Sequence, residues 1–154
     1  MGRLIDRTMI ILLLFFLVSA LPSQEPPPQI TAPVALVADA ATGMILMEKN
    51  PEMPYPPASL AKLMTLHLTA ELDPDTVLTV PLTGSAQSMR AGSSVVGLQT
   101  GDRVTIGTLR RAAAIVSAGD AAWTLAIHHS GEVPRFVDAM NRRAAAIGMN
   151  NTTY

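Results

Sequence analysis

Ser59 and Lys62 stand three residues apart in Ser59-Leu60-Ala61-Lys62, inside a run whose apolar residues repeat at helical spacing. Residues three apart on a helix share a face, with Cβ atoms about 5–6 Å apart, so the Lys62 amine can reach the Ser59 hydroxyl. A serine hydroxyl is a weak nucleophile until a base takes its proton. A lysine serves as that base when its pKa is lowered, which desolvation and the positive end of a helix dipole both promote. The same dipole favours negative charge developing on the Ser59 oxygen. The pair admits a plainer reading too, in which Ser59 caps the helix N-terminus and Lys62 is solvated. A bare Ser-x-x-Lys arises about once by chance in a chain of this size, so the spacing alone does not decide between them.

The other polar residues offer less. His128 and His129 are neighbours on a predicted helix and point about 100° apart, so they cannot share a metal on one face. His67 stands alone on an apolar helix, and no metal-ligand spacing appears, so neither metal nor cofactor is expected. The absence of cysteine excludes a thiol nucleophile, a disulfide framework and Cys-ligated metal sites. Arg110-Arg111 and Arg142-Arg143 read as solvated helix faces, and Trp123 and the methionines as core. A formal net charge of −1 carries no basic footprint for nucleic acid. At 49% hydrophobic and 15% charged, the 154 residues make a globular chain of about one domain rather than a disordered one.

These candidates must be positioned by the elements around them. Residues 1–20 have the parts of a secretory leader: Arg3 and Arg7, an unbroken apolar run at 9–18, and Val18-Ser19-Ala20. The apolar run is about half of what spanning a bilayer takes, so export with cleavage near Ala20 is expected; an uncleaved anchor is the alternative. Residues 21–33 form a Pro-rich linker. Residues 34–38 and 44–48 read as strands joined by Asp39-Ala40-Ala41-Thr42-Gly43, an antiparallel hairpin. Four prolines in residues 50–57 exclude helix and central strand there. A helix is expected over 59–72, where Leu60, Leu63, Met64, Leu68 and Leu72 share a period. Short extended pieces such as 77–80 follow, then a Gly- and Ser-rich loop around 91–94. Residues 102–107 suit a strand or the start of a helix. Further helices are expected over 108–116 and 120–130, and a last one has Pro134 in its first turn and Gly148 as its C-terminal cap. Two lone strands are marginal without more sheet or a covering helix, so the chain reads as part of a larger fold.

Set in this order, the motifs resemble one family. Pro57-Ala58-Ser59-Leu60-Ala61-Lys62-Leu63-Met64-Thr65 resembles the active-site helix of the serine-type D-alanyl-D-alanine carboxypeptidases, the low-molecular-mass penicillin-binding proteins. Asp39-Ala40-Ala41-Thr42-Gly43 resembles that family's hairpin turn. Gly101-Asp102-Arg103-Val104-Thr105-Ile106 resembles the segment before its second motif. Met140-Asn141, Ala144 or Ala145, Ile147-Gly148-Met149 and Thr152 resemble the helix after it. The resemblance runs over residues 34–154. It implies an α/β (α+β) fold of the β-lactamase/transpeptidase type, here as an N-terminal antiparallel hairpin plus a mostly helical subdomain, with the C-terminal strands missing.

The resemblance also implies acyl transfer. Ser59 would attack the D-Ala-D-Ala bond of a peptidoglycan stem peptide, Lys62 would be the general base, and water would release the acyl-enzyme. β-Lactams, which mimic that dipeptide, would acylate the same serine. The setting implied is the periplasm or the outer face of the cytoplasmic membrane, with membrane association in a longer form. Two departures stand out. The family's second motif is Ser-x-Asn, whereas here Ser117-Ala118-Gly119-Asp120 keeps the serine, a proton relay with Lys62, and puts Gly119 in the substrate-binding carboxamide's place. Asp120 is expected to cap the following helix. No Lys-Thr-Gly or Lys-Ser-Gly occurs, so the family's contact to the substrate carboxylate has no counterpart. The alternatives are an inactive remnant or envelope-binding module of the same family and, less well matched, a β-lactamase.

Overall fold

The computed structural model describes residues 28–154. The leader expected over 1–20 and the first part of the linker lie outside the described residues. The described chain divides into two compact units between Tyr55 and Pro56.

In the first unit, β1 (Ala35–Ala38) pairs antiparallel with β2 (Ile45–Lys49), Ala35 opposite Lys49 and Val37 opposite Met47, with one irregularity between Val37 and Ala38. The hairpin expected from the two apolar runs is therefore present, its first strand starting one residue later and its second shifted by one. Asp39 N–H donates to Met44 O and Gly43 N–H to Asp39 O, each at 2.8 Å. Gly43 adopts φ +73°, a conformation that costs a residue without Cβ little. The end of the Pro-rich segment is tied to the same unit, because Lys49 Nζ donates to Ile30 O at 2.8 Å and Asn50 Nδ2 to Pro33 O at 2.9 Å. Met44 and Met53 are exposed, contrary to the expectation that the methionines form core.

The second unit opens with a 3-10 turn, Ala58–Leu60, that runs into α1 (Ala61–Leu68). This helix stops four residues short of the expected end. The Thr69 hydroxyl folds back to Thr65 O at 2.9 Å, and the Arg110 guanidinium draws in the carbonyls of both Thr69 and Leu72. Carbonyls satisfied from outside no longer require a continuing helix. Arg110 is thus half-buried and structural rather than part of a solvated face.

β3 (Val77–Thr79) and β4 (Arg103–Thr105) pair antiparallel, with Leu78 opposite Val104. Residues 102–107 therefore serve both readings, since α2 (Ile106–Ile115) begins directly after the strand. Thr105 caps it, its Oγ1 accepting from Thr108 N–H at 3.2 Å. α3 (Gly119–Ser130) and α4 (Val133–Ala146) follow. α4 ends on Gly148 at φ +86°, with Gly148 N–H donating to Ala145 O and Met149 N–H to Ala144 O, the paired bonds of a left-handed C-cap.

α3 is the centre of this unit. Ala121 and Leu125 join Leu78, Ile106, Leu109 and Ala118 in one apolar cluster. Ala126 joins Met64, Phe136, Met140 and Ala144 in another. A helix that feeds two cores is apolar on more than one side and shows no single stripe. Its alanines keep the neighbouring backbones close. Through these two clusters α3 fixes the start of α1 relative to the link between α2 and α3. No helix among the described residues is long and apolar enough to cross a membrane.

Candidate active site

Ser59 is the middle residue of the 3-10 turn, and Lys62 lies one turn later at the start of α1. The side chain of Ser59 caps no backbone N–H; its Oγ lies 3.4 Å from Lys62 Nζ. Lys62 is half-buried rather than solvated, and its Nζ also donates to Ser117 Oγ at 3.2 Å. The plainer reading of the Ser-x-x-Lys pair thus does not describe these side chains.

Backbone strain marks the same place. Ala58 has φ +48° and Ser117 φ +58°, two of three non-glycine residues with positive φ among those described. Each such residue costs on the order of 1–3 kcal/mol and persists only where its surroundings over-determine it. At Ala58 the strain falls on the first residue of the 3-10 turn that carries Ser59. At Ser117 it interrupts the α2–α3 sequence and aims the hydroxyl at Lys62.

Ser59 and Lys62 open on a cleft of about 550 Å³, and Ser117 reaches it only through its bond to Lys62. Gly119 lines it beside Ser59 and Lys62, and Trp123, Phe136 and Met140 give it an apolar wall. Trp123 is 43% exposed there, which corrects its assignment to the core. Gly119 N–H donates to Ser94 O at 2.7 Å. A Cβ on Gly119 would meet Met89 Sδ and Ser94 O at 3.4 Å each, which is ordinary contact.

Asp120 is not the helix cap that was expected. The N-cap position belongs to Ala118, whose side chain caps nothing. Asp120 is fully buried and accepts from the N–H groups of Val96, Gly97, Leu98 and Ala121. No sequence signal joined Asp120 to a loop more than twenty residues upstream. The histidines lie apart from the cleft chemistry. His67 accepts from Arg143 Nε at 2.7 Å, and His129 meets Phe136 edge-on with ring centres 5.3 Å apart. Among the described residues no three His, Asp or Glu side chains are grouped to hold a metal ion.

Comparison with known proteins gives these residues a context. Residues 21–154 match the family model described as D-alanyl-D-alanine carboxypeptidase. The D-alanyl-D-alanine carboxypeptidase DacA of Haemophilus influenzae is 33% identical over 134 residues, covering 83% of this chain and 34% of the relative. A D-alanyl-D-alanine endopeptidase of Pseudomonas aeruginosa is 32% identical over 157 residues, covering 96% and 50%. Among solved structures, penicillin-binding protein 5 of Haemophilus influenzae superposes with a TM-score of 0.77 at 32% identity, covering 84% of this chain and 39% of that one. The chain therefore spans about a third to a half of the length of the curated relatives it matches.

Proposed function

Because the chain belongs to the D-alanyl-D-alanine carboxypeptidase family, we propose that Ser59 is an acyl-transfer nucleophile for peptidoglycan stem peptides ending in D-Ala-D-Ala. The observation that carries this reading is the position of Lys62 Nζ between two hydroxyls, 3.4 Å from Ser59 and 3.2 Å from Ser117. Lys62 takes the Ser59 proton as Oγ bonds to the carbonyl carbon of the penultimate D-alanine. The peptide C–N bond then breaks, and the proton passes through the Ser117 hydroxyl to the leaving amine, so that D-alanine departs neutral overall. Water hydrolyses the ester and restores Ser59. The N-terminal end of the Ala58–Leu60 turn and α1 favours the negative charge that develops at Ser59. A β-lactam would be attacked by the same oxygen at its carbonyl carbon, its ring C–N bond opening, and would remain attached as the ester. Export to the periplasm or outer membrane face, with cleavage near Ala20, completes this reading and rests on residues 1–20.

A second reading is favoured by one observation: Gly119 supplies no side-chain donor or acceptor beside Ser117. In that reading the chain is an inactive member of the family. Incubation of the full chain with a fluorescent penicillin, followed by mass-spectrometric mapping, separates the two. An adduct on Ser59 that is lost in Ser59→Ala and Lys62→Ala supports acyl transfer. No adduct on the parent chain supports the inactive relative, and an adduct that survives in Ser59→Ala places the nucleophile elsewhere. N-terminal sequencing of the envelope fraction tests export, which recovery of a cytoplasmic protein beginning at Met1 would refute.

A further inference from the structure

The carboxylate of Asp120 is fully buried. Taking a carboxylate out of water is costly unless hydrogen bonds replace its hydration. Here the replacement is almost wholly one loop. Oδ2 accepts from Gly97 N–H and Leu98 N–H at 3.0 Å each, and Val96 N–H lies 3.2 Å from both oxygens. The remaining bond, Ala121 N–H to Oδ1 at 3.0 Å, is local to α3. Three consecutive N–H groups converge on one anion because Gly97 sits at φ +86°, the conformation that makes such a concavity.

The same loop is the rim of the cleft. Gly92, Ser93 and Ser94 line it together with Met89. Ser94 O is held by Gly119 N–H at 2.7 Å, and Leu98 O by Ala86 N–H at 2.8 Å. Residues 91–97 are otherwise exposed, so side-chain packing does little to fix them. A segment with few buried contacts is held by its hydrogen bonds or not at all. The first turn of α3 thus does two things through adjacent residues: Gly119 faces the cleft, and Asp120 fixes the strap that borders it.

We infer that Asp120 is a positioning residue that holds the 92–98 loop in place as the rim of the Ser59 cleft and thereby sets how tightly the cleft takes an acyl donor. The inference rests on the reading of Ser59 as the nucleophile for its binding consequence, but the tie itself can be read without catalysis.

Asp120→Asn keeps the size and puts an NH2 donor where an acceptor oxygen faced the loop. Amide hydrogen exchange at Val96, Gly97 and Leu98 should quicken at least about tenfold, while the Leu109 and Leu125 amides change by less than about twofold. Trp123, the single tryptophan, lies in the cleft wall and should become more open to acrylamide quenching. With a fluorescent penicillin, the half-saturating concentration should rise about fivefold or more while the limiting labelling rate changes less than about twofold, a loss of ground-state binding rather than of chemistry. A merely structural Asp120 would move all amides together and leave half-saturation unchanged. Unchanged exchange at 96–98 overturns the inference as well. If the parent chain takes no label, the acyl-transfer reading fails, and exchange with quenching decides the tie alone. Should Asp120→Asn fail to fold, Val96→Pro removes one donor from the exposed side and should give the same pattern in smaller measure; an unchanged pattern there overturns the inference.

Discussion

Lys62 Nζ reaches Ser117 Oγ at 3.2 Å across fifty-five residues of sequence. The lysine belongs to the start of α1 and the serine to the strained link between α2 and α3, so the contact exists only when the three helices are docked. Ser117→Ala removes the hydroxyl and keeps the backbone problem. It should lower the penicillin labelling rate of Ser59 by about 10²-fold, the lower range for a lost proton-transfer group, with little change in melting temperature. Ser117→Gly should lose labelling equally and gain roughly 1 kcal/mol of stability, because glycine accepts φ +58° without strain. Labelling of Ser117→Ala at the parent rate would remove Ser117 from the proton path.

Gly119 leaves room for a side chain, because an added Cβ meets Met89 Sδ and Ser94 O at no less than 3.4 Å. Asparagine there would supply two donors and an acceptor to the cleft. Gly119→Asn should therefore raise the second-order labelling rate at Ser59 by at least about tenfold, or roughly 1.4 kcal/mol of barrier. The comparison must be made at equal folded fraction. A rate no higher than the parent's would show that a carboxamide at this position contributes nothing, and that the second motif is not impaired.

Legibility from sequence followed the range of the interactions. The hairpin, the first helix and the Gly148 cap depend on neighbours within a few residues, and turn chemistry and periodicity reveal such neighbours. Ser59 and Lys62 were legible for the same reason, since three residues of helix set their spacing. What stayed hidden was non-local. Arg110 looked like half of a solvated pair until the end of α1 was packed against it. Asp120 looked like a cap, because its three loop donors lie more than twenty residues upstream. Trp123 looked like core, because a hydrophobic side chain carries no mark that distinguishes a cleft wall from an interior.

The hairpin turn carries its own pH dependence. Thr42 Oγ1 donates to Asp39 Oδ1 at 2.6 Å, and Thr42 N–H donates to the same oxygen at 2.7 Å. These bonds, the hydroxyl's first, hold the Asp39 carboxyl below its ordinary value of 3.8. A depressed carboxylate stabilises the folded turn above the unfolded value and loses that contribution as pH falls through the folded one. The Thr42 amide resonance should therefore shift with a midpoint below 3.8. Asp39→Asn should abolish the transition. A midpoint at or above the ordinary value would mean that the Thr42 bonds do not favour the charged form in solution.

Arg110 ties α2 to the end of α1, donating to Leu72 O at 2.8 Å and to Thr69 O. Hydrogen bonds from a charged donor contribute about 1.5–3 kcal/mol, and a buried acceptor left without one costs a similar amount. Arg110→Met keeps much of the apolar stem and removes the donors, so packing and hydrogen bonding can be told apart. It should destabilise the fold by about 2 kcal/mol in urea titration. Arg110→Lys should recover only part of this, because both bonds come from Nη2 at the far end of the guanidinium, which the shorter lysine does not reach. Since α1 also carries Lys62, its first turn should fray in Arg110→Met less than its last, and hydrogen exchange at Leu68 and Thr69 should quicken before that at Thr65. A Met variant as stable as the parent would mean that water satisfies the two carbonyls, and that α1 ends at Leu68 because of the Thr69 hydroxyl alone.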